Sequence, residues 1–133
     1  MEATVPTILV VEDDASLRAA LDSVLSSQGY RVLTTGAPES AYALLAVQSV
    51  DAVLLDVRLP TMSGLALSLA IAHRWPALRD RIAFMTADAD APDVRQWLRA
   101  HRCTVFPKPF RFEQLAHWLA DTVRRRDREA SAG

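Results

Sequence analysis

The chain holds one lysine, Lys108, among fourteen arginines, and that lysine stands between two prolines in "VFPKPF", residues 105–110. Pro107 fixes its own φ, and Pro109 biases Lys108 toward an extended backbone. The Lys108–Pro109 bond is also of the kind that can be cis at small cost. Lysine carries a compact charge that can meet a single oxygen in a tight site, where the planar fork of arginine does not fit. Upstream, Glu12, Asp13 and Asp14 follow one short apolar run, Asp56 ends another and Thr86 ends a third. Taken singly, an acid after a strand is most often a helix cap or a solvated turn. Their joint placement is more specific. Clustered carboxylates repel one another and raise at least one pKa unless a cation is present. A hard cation such as Mg²⁺ resolves this, taking oxygen ligands in an octahedron and keeping several waters. Glu12, Asp13 and Asp56 can supply those oxygens. Asp56, held on a strand end, can also attack phosphorus and form an acyl phosphate. Mg²⁺ on one side and the Lys108 ammonium on the other would then stabilise the charge of the transferring group.

Such a site needs elements that bring four segments to one edge. "TILVV" (7–11), "RVLTT" (31–35), "AVLLD" (52–56), "RIAFMT" (81–86) and "TVF" (104–106) read as strands: short, β-branched or aromatic, and bounded by turn or charged residues. The nearly unbroken apolar runs predict burial on both faces, as in a parallel sheet. Between them the pattern turns helical. Leu17, Leu21, Val24 and Leu25 form one stripe, with Asp14 as N-cap and Gly29 as the stop. Pro38 opens a second helix. "GLALSLAIAHRW" alternates like a strand, but its alanines, length and place between two strands favour helix. A fourth helix spans about 92–101, and a fifth carries Phe112, Leu115, Leu119 and Val123. Alternating strands and helices with right-handed crossovers give a doubly wound α/β domain. In that architecture the chemistry sits at the carboxyl ends of the strands.

Composition narrows the function classes. The 133 residues suit one domain, half of them are hydrophobic, and the net charge of −1 argues against nucleic-acid binding through bulk charge. The one basic cluster, "RRRDRE" (124–129), reads as a solvated helix end, and the final "ASAG" as disordered. Residues 1–6 read as an N-terminal extension. Cys103 stands alone, which excludes an intrachain disulfide, and it reads as a small buried hydrophobe. No apolar run approaches the ~20 residues of a membrane span, and the acidic N-terminus is no signal peptide. A cytoplasmic protein without membrane contact fits best. His73, His101 and His117 lack ligand spacing and read as surface or packing residues. Trp97 and Trp118 read first as core-edge residues, with a partner-facing anchor as the sharper alternative.

"ILVVEDD", "LLDVRLPTMSG", "MTA" and "PKPF", in this order and spacing, resemble the receiver domain of two-component response regulators over residues 7–123. The resemblance implies a flavodoxin-like fold with five helices around a five-stranded parallel sheet of order 2-1-3-4-5. It implies that Asp56 accepts a phosphoryl group from a phosphohistidine on a histidine kinase or a histidine phosphotransfer protein, with Mg²⁺ required. Asp13 would bind the metal directly, Glu12 would help through water, and the backbone carbonyl of Arg58 would be a further ligand. Thr86 would hydrogen-bond the phosphoryl group, Lys108 would pair with it, and Gly64 would allow the turn of the loop after Asp56. Output would leave through the face of the fourth helix, fifth strand and fifth helix toward a downstream protein, and a homodimer is a further possible partner. The segment "RIAFMT" to "PKPF" is also similar, more loosely, to receivers attached to hybrid histidine kinases. One departure stands out. The family's aromatic residue three places before the lysine is Val105 here, with Phe106 next, which leaves the usual aromatic switch open.

Nothing after residue 123 is expected to form an effector domain, so output passes to another protein or the chain is a piece of a larger one. Competing readings are an aspartyl-phosphate phosphatase and a degenerate receiver that binds constitutively. The phosphatase reading wants a second Asp two residues after the nucleophile, where this chain has Arg58, which cannot donate a proton at neutral pH. The intact Asp13, Asp56, Thr86 and Lys108 argue against the degenerate reading. A nucleotide-binding protein lacks its glycine-rich loop here.

Overall fold

Period-two alternation along the strands divides the core between two sides of one sheet. A computed structural model describes residues 5–132. Its elements run β1 (Thr7–Val11), α1 (Ala15–Ser27), β2 (Arg31–Thr35), α2 (Pro38–Val47), β3 (Ala52–Asp56), α3 (Gly64–Arg74), β4 (Ile82–Thr86), α4 (Pro92–Ala100), β5 (Thr104–Pro107) and α5 (Phe112–Ala132). One turn of 3₁₀ helix, Pro76–Leu78, joins α3 to β4. All strand pairs are parallel, in the order β2-β1-β3-β4-β5. Leu9, Val11, Val53, Leu55 and Phe84 point to one side and meet Leu45 of α2, Leu67 and Ile71 of α3, and Val94 and Leu98 of α4. Their neighbours Ile8, Val10, Leu54, Ala83 and Met85 point to the other and meet Leu21 and Leu25 of α1 and Leu115 and Leu119 of α5. β1 and β3 are buried throughout, as their unbroken apolar runs require. The edge strand β2 is only partly covered.

Local signals fix the ends of α1. Asp14 caps it by accepting from the Ser16 and Leu17 N–H groups, and Gly29 leaves it at φ 95°. The alternating "GLALSLAIAHR" is helix, with Leu67 and Ile71 buried and Leu69 exposed. The Lys108–Pro109 peptide is cis.

The end of the chain differs from expectation. α5 does not fray after residue 123 but continues to Ala132, through the segment expected to be disordered. The basic cluster is also not wholly solvated. Arg126 pairs with Asp51 at 3.0 Å, both largely covered, and Glu129 pairs with Arg81. These contacts hold the last turns of the helix against the start of β3 and β4. Cys103 is half-buried rather than fully so, and covering raises its thiol pKa. Residues 1–4 of the expected N-terminal extension, and Gly133, lie outside the described residues. Among the described residues no helix is long and apolar enough to cross a membrane.

Candidate functional site

Four strand ends deliver the polar groups. Along β1 the apolar run stops at Glu12, which is fully buried, and the three acids after it take separate tasks. Glu12 uses both carboxylate oxygens: Oε1 accepts from Lys108 Nζ at 2.7 Å and Oε2 from the Asp14 N–H at 2.9 Å. Asp14 caps α1. Asp13 is exposed, and among the described residues its carboxylate accepts no hydrogen bond. Arg18 of α1 reaches back to the Glu12 carbonyl at 2.7 Å, which ties this acidic turn to the helix that follows it.

Asp56 closes β3 and is 7% exposed. Its Oδ1 accepts from the Arg58 N–H at 3.1 Å, and its Oδ2 lies 3.4 Å from Lys108 Nζ. Burial pushes its pKa up to about 6, and the Glu12 carboxylate adds to the rise; the Arg58 N–H and the Lys108 charge work against it. Burial also works against the charged form of Lys108. The Glu12 hydrogen bond and the Asp56 and Glu12 charges outweigh that, so its pKa is raised. Two buried carboxylates therefore face one ammonium, and one negative charge is left over. Thr86 is fully buried at the end of β4, and its Oγ1 accepts from the Asp88 N–H at 2.9 Å. The Thr86 carbonyl accepts from the Lys108 N–H at 2.8 Å, so these two residues are tied through backbone.

The structure thus brings Glu12, Asp56, Thr86 and Lys108 to one edge, as the sequence led us to expect. It does not build a cage from Glu12, Asp13 and Asp56. Among the described residues no three acidic, histidine or cysteine side chains stand close enough to hold a metal ion. The reason is Glu12, whose oxygens are turned to Lys108 and the Asp14 N–H. What remains for a cation is the unengaged Asp13 carboxylate, the uncompensated charge at Asp56, and the Arg58 carbonyl, which accepts no hydrogen bond among the described residues. That oxygen-only set, completed by water, fits Mg²⁺.

Gly64 closes the loop after Asp56 by close approach. Its φ is not in the left-handed region; a Cβ there would stand 2.0 Å from the Asp56 carbonyl oxygen. Its N–H meets the Val57 carbonyl at 2.8 Å, so α3 begins in direct contact with the backbone of the acid. Sequence reasoning also missed the ion pair of Arg58 with Asp88 at 2.7 Å, which bridges the loops after β3 and β4. No local pattern signals it, because thirty residues separate the partners. Val105 lies beside Phe84 in the sheet, on the side where Phe84 meets Trp97 edge-on at 5.9 Å. Phe106 points to the opposite side, against Phe110 and Trp118. Both Trp97 and Trp118 are core-edge residues. His73, His101 and His117 are exposed and far from ligand spacing, with His101 stacked on Trp97.

Comparison with known proteins places this geometry. The family model described as the response regulator receiver domain matches residues 8–120. The transcriptional regulatory protein AruR of Pseudomonas aeruginosa is 36% identical over 98% of this chain and 55% of its own length. The transcriptional regulatory protein AfsQ1 of Streptomyces coelicolor is 33% identical over 95% of this chain and 55% of its own length. The chain thus spans about half the length of these curated relatives. Among solved structures, response regulator TrrA of Thermotoga maritima, in complex with Mg²⁺-BeF, superposes with a TM-score of 0.76 at 26% identity, covering 88% of this chain and 98% of that one. A receiver domain protein from Methanospirillum hungatei gives 0.84 at 19% identity over 95% and 99%, a likeness of fold alone.

Proposed function

The chain belongs to the response regulator receiver domain family, a phosphoacceptor signalling family of two-component systems, and from that premise we propose that Asp56 is its phosphoacceptor. The observation that carries this reading is the buried Asp56 carboxylate, held by the Arg58 N–H on one oxygen and facing Lys108 on the other. The donor is a phosphohistidine of a histidine kinase or a phosphotransfer protein, and the exchange takes place in the cytoplasm. An Asp56 oxygen attacks phosphorus in line with the departing imidazole nitrogen. The P–N electron pair returns to the imidazole, and an acyl phosphate remains on Asp56. Asp13, Asp56 and the Arg58 carbonyl would hold Mg²⁺, which would supply charge neutralisation at the transferring oxygens. The Mg²⁺-BeF complex of the similar TrrA supports Mg²⁺ as the ion.

The chain's own residues do the rest. Lys108 stands between Glu12 and Asp56 and needs only a small swing to leave Glu12 Oε1 for a phosphoryl oxygen. The Thr86 hydroxyl accepts from Asp88, which leaves its own proton free to donate to the phosphoryl group. The position where a phosphatase of this kind would place its general acid holds Arg58, which is paired with Asp88. The domain assists its own phosphorylation and hydrolysis without a separate substrate. Output goes to a protein partner through α4, β5 and α5. Incubation with acetyl phosphate and Mg²⁺ is expected to add one phosphoryl group by intact-mass spectrometry, and Asp56→Asn to abolish it. Full labelling of the Asn variant would move the site elsewhere.

A further inference from the structure

A cavity of about 550 Å³ opens between α3, α4 and α5 at the end of the sheet opposite Asp56, where β4 and β5 begin. That size is ordinary for a small-molecule site. Ile82, Phe84 and Trp97 give it an apolar, partly aromatic lining, extended by the His101 ring stacked on Trp97 with centroids 3.9 Å apart. Three arginines, Arg79, Arg102 and Arg125, also line it against one acid, Asp80. Asp121 of α5 also pairs with Arg125 at 3.7 Å, so three positive charges less two negative leave an excess of one. Among the described residues neither Arg79 nor Arg102 has an ion-pair partner. The Nε of Arg125 makes no hydrogen bond, its nearest acid being Asp121 at 3.7 Å, so an acceptor placed closer would satisfy it.

Arg102 adds an independent observation. At φ 52° it is the one non-glycine residue in the left-handed region among the described residues. It follows His101, the C-cap of α4, at the position where helices most often place glycine. An arginine there costs backbone energy that glycine would not. Helix termination alone therefore does not select it, and what arginine adds is a cation at the cavity wall.

We infer that this cavity is a second binding site, for a small planar anion: an aromatic ring bearing a carboxylate. The ring would lie against Trp97 and Phe84, and the carboxylate would meet the guanidinium groups, whose fork matches it in a bidentate way. 2-Naphthoate and its neutral counterpart 2-naphthalenemethanol separate the two components. Titration of the full chain, followed by amide NMR, is expected to give saturable shifts at Phe84, Trp97 and Cys103, with naphthoate at least about ten-fold tighter than the alcohol. Arg102→Gly is expected to weaken naphthoate about five-fold or more, while its melting temperature stays level or rises by about 2–5 °C as the backbone cost is relieved. Arg79→Gln, which leaves that backbone alone, is expected to weaken naphthoate in the same direction. Equal affinity for acid and alcohol, unchanged binding by both variants, or no shifts at the cavity amides would overturn the site. Saturation by an acidic aromatic peptide but not by naphthoate would overturn it too, and would make the cavity a protein-docking surface. Labelling of Asp56 by acetyl phosphate, followed in the same variants, is expected to be retained, which separates this site from the phosphoacceptor reading.

Discussion

Asp56 is expensive to keep charged, and that cost is measurable without any phosphodonor. Its folded pKa of about 6 lies above the ordinary value of 3.8, chiefly because the carboxylate is buried and also because Glu12 stands beside it. Between those two values the folded protein holds a proton that the unfolded chain releases. Stability therefore falls as pH rises through that window, and the full cost is present above about pH 6. A shift of roughly two units corresponds to about 3 kcal/mol, reduced by whatever the site relaxes. Asparagine keeps the shape and never ionises. In metal-free buffer Asp56→Asn is expected to be more stable than wild type by roughly 1–3 kcal/mol at about pH 7.5, and by little below about pH 4. Urea melts at the two pH values read this directly. A gain of equal size at both would assign the effect to packing rather than charge. Lys108 offsets only part of the cost, because its nearer partner is Glu12, at 2.7 Å against 3.4 Å.

The elements were largely legible because each carried its own local signal. Asp14 and Gly29 bracket α1 in the sequence as in the fold, and the unbroken apolar runs of β1 and β3 announced their burial. What the sequence hid depends on distance. "RRRDRE" has the composition of a solvated end, and nothing near it reveals that Arg126 meets Asp51 or that Glu129 meets Arg81. Glu12 was expected to help hold a metal through water; that its carboxylate also meets Lys108, ninety-six residues away, no local pattern reveals. Gly64 was expected to allow the turn after Asp56; the structure adds that close approach to the Asp56 carbonyl, rather than a left-handed φ, is what demands glycine. That distinction can be tested. At the first position of a helix, Gly→Ala ordinarily stabilises, by up to about 1 kcal/mol. Here the added methyl would meet a backbone oxygen that cannot give without moving Asp56. Gly64→Ala is expected instead to destabilise by about 1–3 kcal/mol and to slow labelling by acetyl phosphate. A melt at or above wild type, with labelling unchanged, would refute the steric account.

Across the whole molecule, the proposed phosphoryl group on Asp56 would have to act on the proposed output face of α4, β5 and α5. Thr86 is placed to start it. Its hydroxyl holds the Asp88 N–H, its carbonyl holds the Lys108 N–H, and the segment after it leads directly into α4. A phosphoryl oxygen that drew the hydroxyl inward would pull on the β4–α4 loop and on the backbone of Lys108 together. The Arg58–Asp88 pair restrains the same loop from outside. With valine rather than an aromatic at position 105, a side-chain swing would contribute little, and Phe84 against Trp97 would give an α4 shift its contact with the sheet. The equilibrium then moves by the difference in affinity of the two loop positions for the phosphoryl group. Thr86→Ala is expected to leave Asp56 reactive while removing most of the response at a distance. Amide spectra with and without beryllofluoride and Mg²⁺ should show large changes at residues 86–92, Trp97 and Val105 in wild type, and changes confined to the neighbourhood of Asp56 and Lys108 in the variant. The same shifts at Trp97 and Val105 in both proteins would mean that Thr86 does not carry the signal, and that it leaves through α1 or the loop after Asp56.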